Sequence, residues 1–428
     1  MEPCFVPGRI LLPQENIPVS QWACLACDQF TSQPDYWEQA AALAAGGPSA
    51  LNIVLPEVYL DKVDTPTRIR AIHETMERYR AGVLTRCVNG FVYVERTQTD
   101  GKVRQGLVGL IDLEQYDWRP GMSPAVRPTE GTVPSRIPPR LAVRNGASLE
   151  SPHILMLADD AGRTLVEPVA AQKDRLPLLY EGELALGGGF VRGWAVEDPA
   201  LLKGVEEALA ALGSQKTFDE KYPQAAGAPP MTLAVGDGNH SLATAKAFWE
   251  ALKAGLPEDE RACHPARWCL AEVCNVHSEA IAFEPIHRVV FGVPGLQLLA
   301  RLKEWCAARN IAVDGEEAPG GQVITLVHGA WRRAVRLAGS PEPLAVGTVE
   351  AFLADYLKRN PASSVDYIHG EEAVAELCEE GNTGILLPPF EKGDLFRGVV
   401  LGGALPRKTF SMGHARDKRY YLECRAIL

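Results

Sequence analysis

A mixed α/β (α+β) fold class is what this chain of 428 residues predicts. Short apolar runs bounded by Gly, Pro, Asn and Asp fit strands, and they alternate with amphipathic stretches of helical spacing. A strand, glycine turn and helix follow one another at 231–252. The composition, 46% hydrophobic and 23% charged, is that of an ordinary globular protein. The length exceeds one ordinary core, so two or three domains are expected. The reading divides the chain into an N-terminal α/β region (1–225), a core segment (226–295) and a C-terminal α/β region (296–428).

The first helix is expected at 35–45, DYWEQAAALAA, closed by Gly46, Gly47 and Pro48. A charged amphipathic helix follows at 66–81. GFVYVE (90–95) and LVGLIDL (107–113) read as strands joined by a hairpin, with Asp100–Gly101 suited to its turn. The proline- and arginine-rich stretch at 119–140 reads either as an exposed linker or as an arginine-bearing loop over an anionic ligand. EGELALGGGFVRG (181–193) reads as a flexible loop. MTLAV (231–235) is a short buried strand. After it Leu242, Ala245, Phe248 or Trp249, and Leu252 share a helix face, ended by Gly255 and Pro257. Strands are expected at 268–276, 285–291, 322–327 and 331–336, and helices at 296–309, 348–358 and 371–379. A strand-rich piece begins near 384.

The segment VGDGNHSLATAKAF (235–248) concentrates the chemistry. The first amides of a helix lack internal partners, and the helix dipole adds partial positive charge there. Gly236 and Gly238 permit positive φ or close approach of a ligand. Asp237 suits a Mg²⁺ ligand or a base. His240 suits a donor to a phosphoryl oxygen or a proton relay. Asn239 or Ser241 can cap the helix. A tight turn with a routine cap accounts for the same residues. The pattern is neither a P-loop nor a dinucleotide fingerprint.

Other signals exclude more than they assign. The net charge of −11 disfavours broad binding to nucleic acid or anionic lipid. No apolar run approaches the ~18 residues of a spanning helix. The N-terminal stretch lacks the basic head and apolar core of a secretory signal. The ten scattered cysteines fit reduced thiols, so a cytoplasmic protein is expected. Cys24 and Cys27 form a CxxC in an apolar run, expected to be a buried strand end, with Asp28 a candidate for a pocket. Cys269 and Cys274 have odd spacing on one strand and so opposite faces, which argues against zinc with Cys263, His264 and His277. Glu57 reads as a solvated surface acid, with a general base as the alternative. His73, His153, His328, His369 and His414 read as structural or surface residues. No GxSxG elbow supports a hydrolase triad.

Ordered blocks add a resemblance. GDGNHSLATA, WACLACDQFTSQPDYW, LNIVLPEVYL, VRPTEGTVPSR with SPHILML, EPIHRVV and LPRKTFS resemble the successive motifs of the domain-of-unknown-function 1015 family of bacteria and archaea. The family's helix-mouth motif is similar in turn to that of the ParB/sulfiredoxin-like fold. That wider group binds nucleotide phosphates and includes a free serine kinase. The resemblance therefore implies a nucleotide/phosphate-binding core with additional α/β segments and a setting in serine metabolism. It implies Asp237, Gly238 and His240 at the helix mouth, with Arg127, Glu130 and Thr132 from the proline-rich loop. It further implies His287 and Arg288 after the later strand, and Arg407 and Lys408. Asn239 and Ser241 stand where the family motif has His and Arg, so a bidentate phosphate clamp is missing there.

The combined expectation is a phosphotransferase or phosphatase acting on a small phosphorylated metabolite, with Asp237 and His240 catalytic. Gly238, Asn239, Ser241, Arg127, Glu130, Thr132, His287, Arg288, Arg407 and Lys408 would bind phosphate, with Mg²⁺ on Asp237 and a nucleotide as candidate cofactors. The alternative is a nucleotide- or metabolite-sensing protein without turnover. ParB-like DNA clamping is disfavoured, because the chain is acidic and shows no basic helix-turn-helix.

Overall fold

The computed structural model describes residues 2–31, 33–60, 64–314, 321–379, 381–406 and 408–428. It confirms the mixed α/β class. The chain divides into two units: residues 1–281 with 413–428, and residues 282–412. The divisions fall at 281/282 and 412/413, where the sequence reading had placed them at 225/226 and 295/296.

In the first unit the strands are β1 (Phe5–Val6), β2 (Gly8–Leu12), β3 (Arg86–Thr97), β4 (Val103–Asp112), β5 (Val126–Pro128), β6 (Leu149–Glu150), β7 (Leu155–Ala158), β8 (Leu178–Glu183), β9 (Phe190–Val196), β10 (Leu233–Asp237) and β11 (Trp268–Asn275). The helices are α1 (Val19–Trp22), α2 (Pro34–Ala44), α3 (Thr65–Gly82), α4 (Ile137–Arg144), α5 (Glu167–Ala170), α6 (Pro199–Leu212), α7 (Gln215–Lys221), α8 (Asn239–Lys253) and α9 (Glu258–Arg261). One sheet runs β5-β10-β7-β11-β4-β3-β9-β8, with β1 on β4 and β2 on β3. The β5–β10 and β7–β11 pairs are parallel, and β10–β7 is antiparallel.

Period-2 alternation buries both faces of this sheet. Val92 and Val94 of β3, Val108 and Leu110 of β4 and Leu270 of β11 face a core shared with α2 and α3. Phe91, Tyr93, Leu107, Ile111 and Val273 face the opposite core, which takes the apolar stripe of α8: Leu242, Ala245, Phe248 and Trp249. That stripe is the one the helical spacing predicted.

Two expectations give way. The 119–140 stretch is not a bare loop: it supplies β5 and α4. Pro138 and Pro139 sit in the first turn of α4, where the missing N–H has no intrahelical partner to lose. The 181–193 stretch is a strand hairpin. Its glycines are packed closely: a Cβ on Gly188 would lie 2.6 Å from the Arg419 guanidinium, and one on Gly189 would lie 2.3 Å from the Thr97 carbonyl oxygen.

The second unit holds β12 (Phe283–Phe291), α10 (Gly295–Ala307), β13 (Ala312–Val313), β14 (Gln322–His328), β15 (Trp331–Ala338), α11 (Ala345–Arg359), β16 (Ser364–His369), α12 (Glu371–Cys378), β17 (Thr383–Leu386), α13 (Lys392–Gly402) and β18 (Phe410–Met412). Its antiparallel sheet is ordered β13-β15-β14-β17-β12-β16, with β18 on β12. The pairing of β18 with β12 sets Met412 opposite Phe283, so the two ends of this unit are neighbours. The α13 helix lies in the region read as strand-rich.

Residues 413–428 return to the first unit. Lys418 and Tyr420 bond to the backbone of Ala26 and Cys24, Cys424 pairs with Leu11, and β19 (Arg425–Ala426) pairs with β6. The CxxC segment is thus extended, with Leu25 bridged to Arg419. Among the described residues no helix is long and apolar enough to cross a membrane.

Candidate functional site

The mouth of α8 is built by one glycine. Gly238 has φ 83°, and a Cβ there would lie 2.5 Å from the His153 carbonyl oxygen and 3.0 Å from Ile154 Cα. Only glycine therefore turns β10 into α8 against the 153–154 backbone. As the N-cap, Gly238 also offers no side chain to the first-turn amides.

Asp237 ends β10 and is fixed in place. Its Oδ1 accepts the Gly238 N–H at 2.9 Å. Its Oδ2 lies 3.1 Å from Lys418 Nζ and 3.4 Å from His153 Nε2. Burial opposes its charge, yet Lys418 and His153 outweigh that and hold the carboxyl far below the usual carboxylate range. The reciprocal holds for Lys418: burial acts against the ammonium, and Asp237 overrides it and raises the pKa. The imidazole of His153 is anchored through Nδ1, 2.9 Å from the Arg419 carbonyl oxygen.

Residues 129–133 cross beside the end of β10. Thr129 donates its hydroxyl to the Val235 carbonyl at 2.6 Å, and Val133 donates its N–H to His240 Nε2 at 3.2 Å. Glu130 acts on the charge of Lys418. The Thr132 hydroxyl and the Asn239 side-chain oxygen are buried without a hydrogen bond among the described residues.

Beside this mouth lies a cavity of about 170 Å³. Ser241 and Thr244 line it from α8, and Pro139, Arg140, Val143 and Arg144 line it from α4, which packs on α8. The opposite wall carries Cys27, Asp28, Glu57 and Tyr420, with Ile53, Val54 and Leu55 supplying apolar surface. The volume is near that of an engineered cavity, roughly 150 Å³, that takes benzene, so a ligand of that size fits.

The charges around the cavity are arranged in pairs. Glu57 is ion-paired with Arg140. Burial raises its pKa, Arg140 opposes the rise, and Asp28 adds to it. Glu150 is held by Arg144 at 2.6 Å and Arg425 at 2.9 Å. Burial disfavours its charge, but the two arginines keep its pKa low. Burial pushes the Cys27 thiol up to about 12, with the Tyr420 hydroxyl opposing; a thiol so protonated is a poor nucleophile.

The residues expected from sequence are distributed unevenly. Asp237, Gly238, Asn239, His240, Ser241, Glu130 and Thr132 meet around the α8 mouth. Arg127 is turned away from it. Its guanidinium bonds to the carbonyls of Pro124 at 2.9 Å and Pro229 at 2.6 Å, ahead of β10, whereas Asp237 closes that strand. His287 and Arg288 belong to the second unit: His287 Nδ1 accepts the Leu387 N–H, and Arg288 is ion-paired with Glu350 at 2.8 Å. Lys408, also in that unit, is exposed with φ 59°. Arg407 lies outside the described residues.

Asp28 joins the cavity, as its place after an apolar run suggested, and Glu57 lines it instead of standing free in solvent. His153, expected to be structural, reaches Asp237, as does Lys418, and Tyr420 lines the cavity. No local pattern marks these three. The one signal within reach was SPHILML, whose His stands two residues before the start of β7. Among the described residues no group of three His, Cys, Asp or Glu could hold a metal ion. Asp237 could supply one carboxylate to Mg²⁺, which takes the rest of its shell from water and phosphate.

A family model described as "Protein of unknown function (DUF1015)" matches residues 7–368. No curated protein matches the chain. Among solved structures, free serine kinase in complex with AMP is 12% identical with a TM-score of 0.38, over 73% of this chain and 90% of that one. A conserved hypothetical protein from Pyrococcus furiosus is 13% identical with a TM-score of 0.34, over 71% and 89%. SbnI with C-terminal truncation, from Staphylococcus aureus, is 12% identical with a TM-score of 0.36, over 71% and 82%. These are distant likenesses.

Proposed function

The chain belongs to the DUF1015 family of proteins of unknown function, and on that premise we propose that its first unit binds a small phosphorylated metabolite or nucleotide and transfers a phosphoryl group. The reaction is that of a kinase or phosphohydrolase, with serine metabolism as its setting. The observation that carries this reading is the α8 mouth, which lacks a side-chain cap and opens beside a cavity, with a half-buried lysine 3.1 Å from Asp237.

Phosphoryl transfer is mostly positioning and stabilisation of charge. The amides of Asn239, His240 and Ser241 would cradle phosphate oxygens. A carboxylate held as low as Asp237 is a weak proton acceptor, which supports the Mg²⁺ role over the base. Glu57, whose pKa burial raises, is the better acceptor for a hydroxyl proton from a molecule in the cavity. His240 accepts the Val133 N–H on Nε2, which holds the imidazole at the mouth of α8 with its proton on Nδ1.

A thermal-shift screen with nucleotides, phosphoserine and Mg²⁺, followed by phosphorus NMR for products, tests the proposal. Shift with product supports transfer. The second reading, a sensor without turnover, is favoured by Asn239 and Ser241 standing where the family motif has His and Arg; it expects a shift and no product. Absence of any shift counts against both.

A further inference from the structure

We propose that Lys418 is the cation that contacts the ligand's phosphate oxygens, and that its pairing with Asp237 is the resting arrangement of that contact. The inference deepens the phosphate-site reading and rests on it.

Four observations converge. First, Lys418 Nζ lies 3.1 Å from Asp237, the residue directly before the left-handed Gly238 and the first turn of α8. An ammonium has three N–H donors, so one carboxylate leaves capacity for an anion. Second, the side chain is 18% exposed, so the head group is neither sealed nor free in solvent. Third, the backbone that carries it is clamped: the Lys418 carbonyl accepts the Ala26 N–H at 2.8 Å, and the Tyr420 N–H reaches the Cys24 carbonyl at 2.9 Å. The lysine thus has a fixed base and a flexible stem, suited to swing a point charge over a short arc.

Fourth, His153 points at the same spot. Its side chain is only 9% exposed, and its Nε2, 3.4 Å from Asp237, has no well-formed hydrogen bond among the described residues. Asp237, Asp28 and Glu130 all act on the Lys418 charge. The lysine therefore stands among acids, and losing it would leave the mouth of α8 repelling any phosphate.

Inorganic pyrophosphate in EDTA, without added metal, is the probe, titrated calorimetrically into the full chain, so that no Mg²⁺ role of Asp237 enters the comparison. Wild type is expected to bind. Lys418→Met is expected to weaken binding by about 30-fold, the range of a charged hydrogen bond, and Lys418→Arg to retain most of it. Lys418→Met also strands Asp237, so the double variant Asp237→Asn/Lys418→Met serves as the structural control. It should regain the thermal stability lost in the single variant without regaining affinity. Equal affinity in wild type and Lys418→Met, or affinity regained by the double variant, overturns the role of Lys418 and leaves the phosphate site standing. A wild type that does not bind pyrophosphate overturns the phosphate site, and this inference with it.

Discussion

Replacing Gly238 by alanine tests whether the mouth of α8 is held by backbone contact. The φ of 83° alone would cost an L-residue about 1–2 kcal/mol. The stiffer unfolded chain of the variant returns about 0.4–1 kcal/mol. Gly101, with φ 84° and nothing within 4 Å of an added Cβ, shares both of these effects and no others, so Gly101→Ala is the reference. At Gly238 the new Cβ also meets the His153 carbonyl at 2.5 Å, which must move to make room. Overpacking of that kind costs typically 1–3 kcal/mol. Gly238→Ala should therefore lose about 2–4 kcal/mol, against about 1 kcal/mol or less for Gly101→Ala. In a unit of roughly 300 residues, 3 kcal/mol lowers Tm by about 5 °C. Urea melts of both variants at pH 7 give the comparison. Losses equal within about 0.5 kcal/mol would refute the close-contact account.

Further outcomes follow from the same geometry. Asp237→Ala and His240→Ala should each cut turnover by about 100-fold or more with the fold intact; unchanged turnover in both removes them from catalysis. Because the pKa of Asp237 is depressed in the fold, its ion pair contributes stability above the unfolded value near 4 and loses it as pH falls; acid melts of Asp237→Asn should lack that component. Glu423 behaves oppositely. Burial pushes it up to about 7, with the Tyr180 hydroxyl opposing, so its ionisation weakens the fold as pH rises from about 4.5 to 7. Glu423→Gln should thus gain on the order of 1–3 kcal/mol at pH 8 and almost nothing at pH 4; a gain independent of pH would contradict this. Cys87 and Cys263 are exposed, and burial raises Cys4, Cys24, Cys27, Cys269, Cys274 and Cys424. Thiol titration of the native protein should count two fast groups, and early labelling of Cys27 would show that the cavity wall opens.

Local periodicity carried much of the secondary structure into view. The α8 stripe, the β3–β4 hairpin and the odd spacing of Cys269 and Cys274 all follow from which side chains share a face. What failed was local rule set against local rule. Prolines that punctuate loops also start helices, and so 137–140, the first half of α4, was read as irregular. The glycines at 187–189 were read as freedom, when Gly188 and Gly189 are close packing. The candidate site was half legible for a different reason. Residues 235–241 are contiguous and announce themselves. Lys418 and Tyr420 reach the site only through pairing with residues nearly 400 positions away, and no window along the chain contains both partners. The proline-rich loop divides similarly: Glu130 and Thr132 reach the mouth of α8, while Arg127 caps carbonyls ahead of β10.

Met412 lying opposite Phe283 has a consequence for biosynthesis. Joining two points separated by about 130 residues of slack chain costs about 4 kcal/mol of entropy. Once residues 282–412 have folded, those points are cross-strand neighbours about 5 Å apart. The last sixteen residues are then delivered like the closing leg of a hairpin. A nascent chain still on the ribosome holds Asp237 long before it holds Lys418. Replacing 283–412 with a short turn should still let the two remaining pieces find each other.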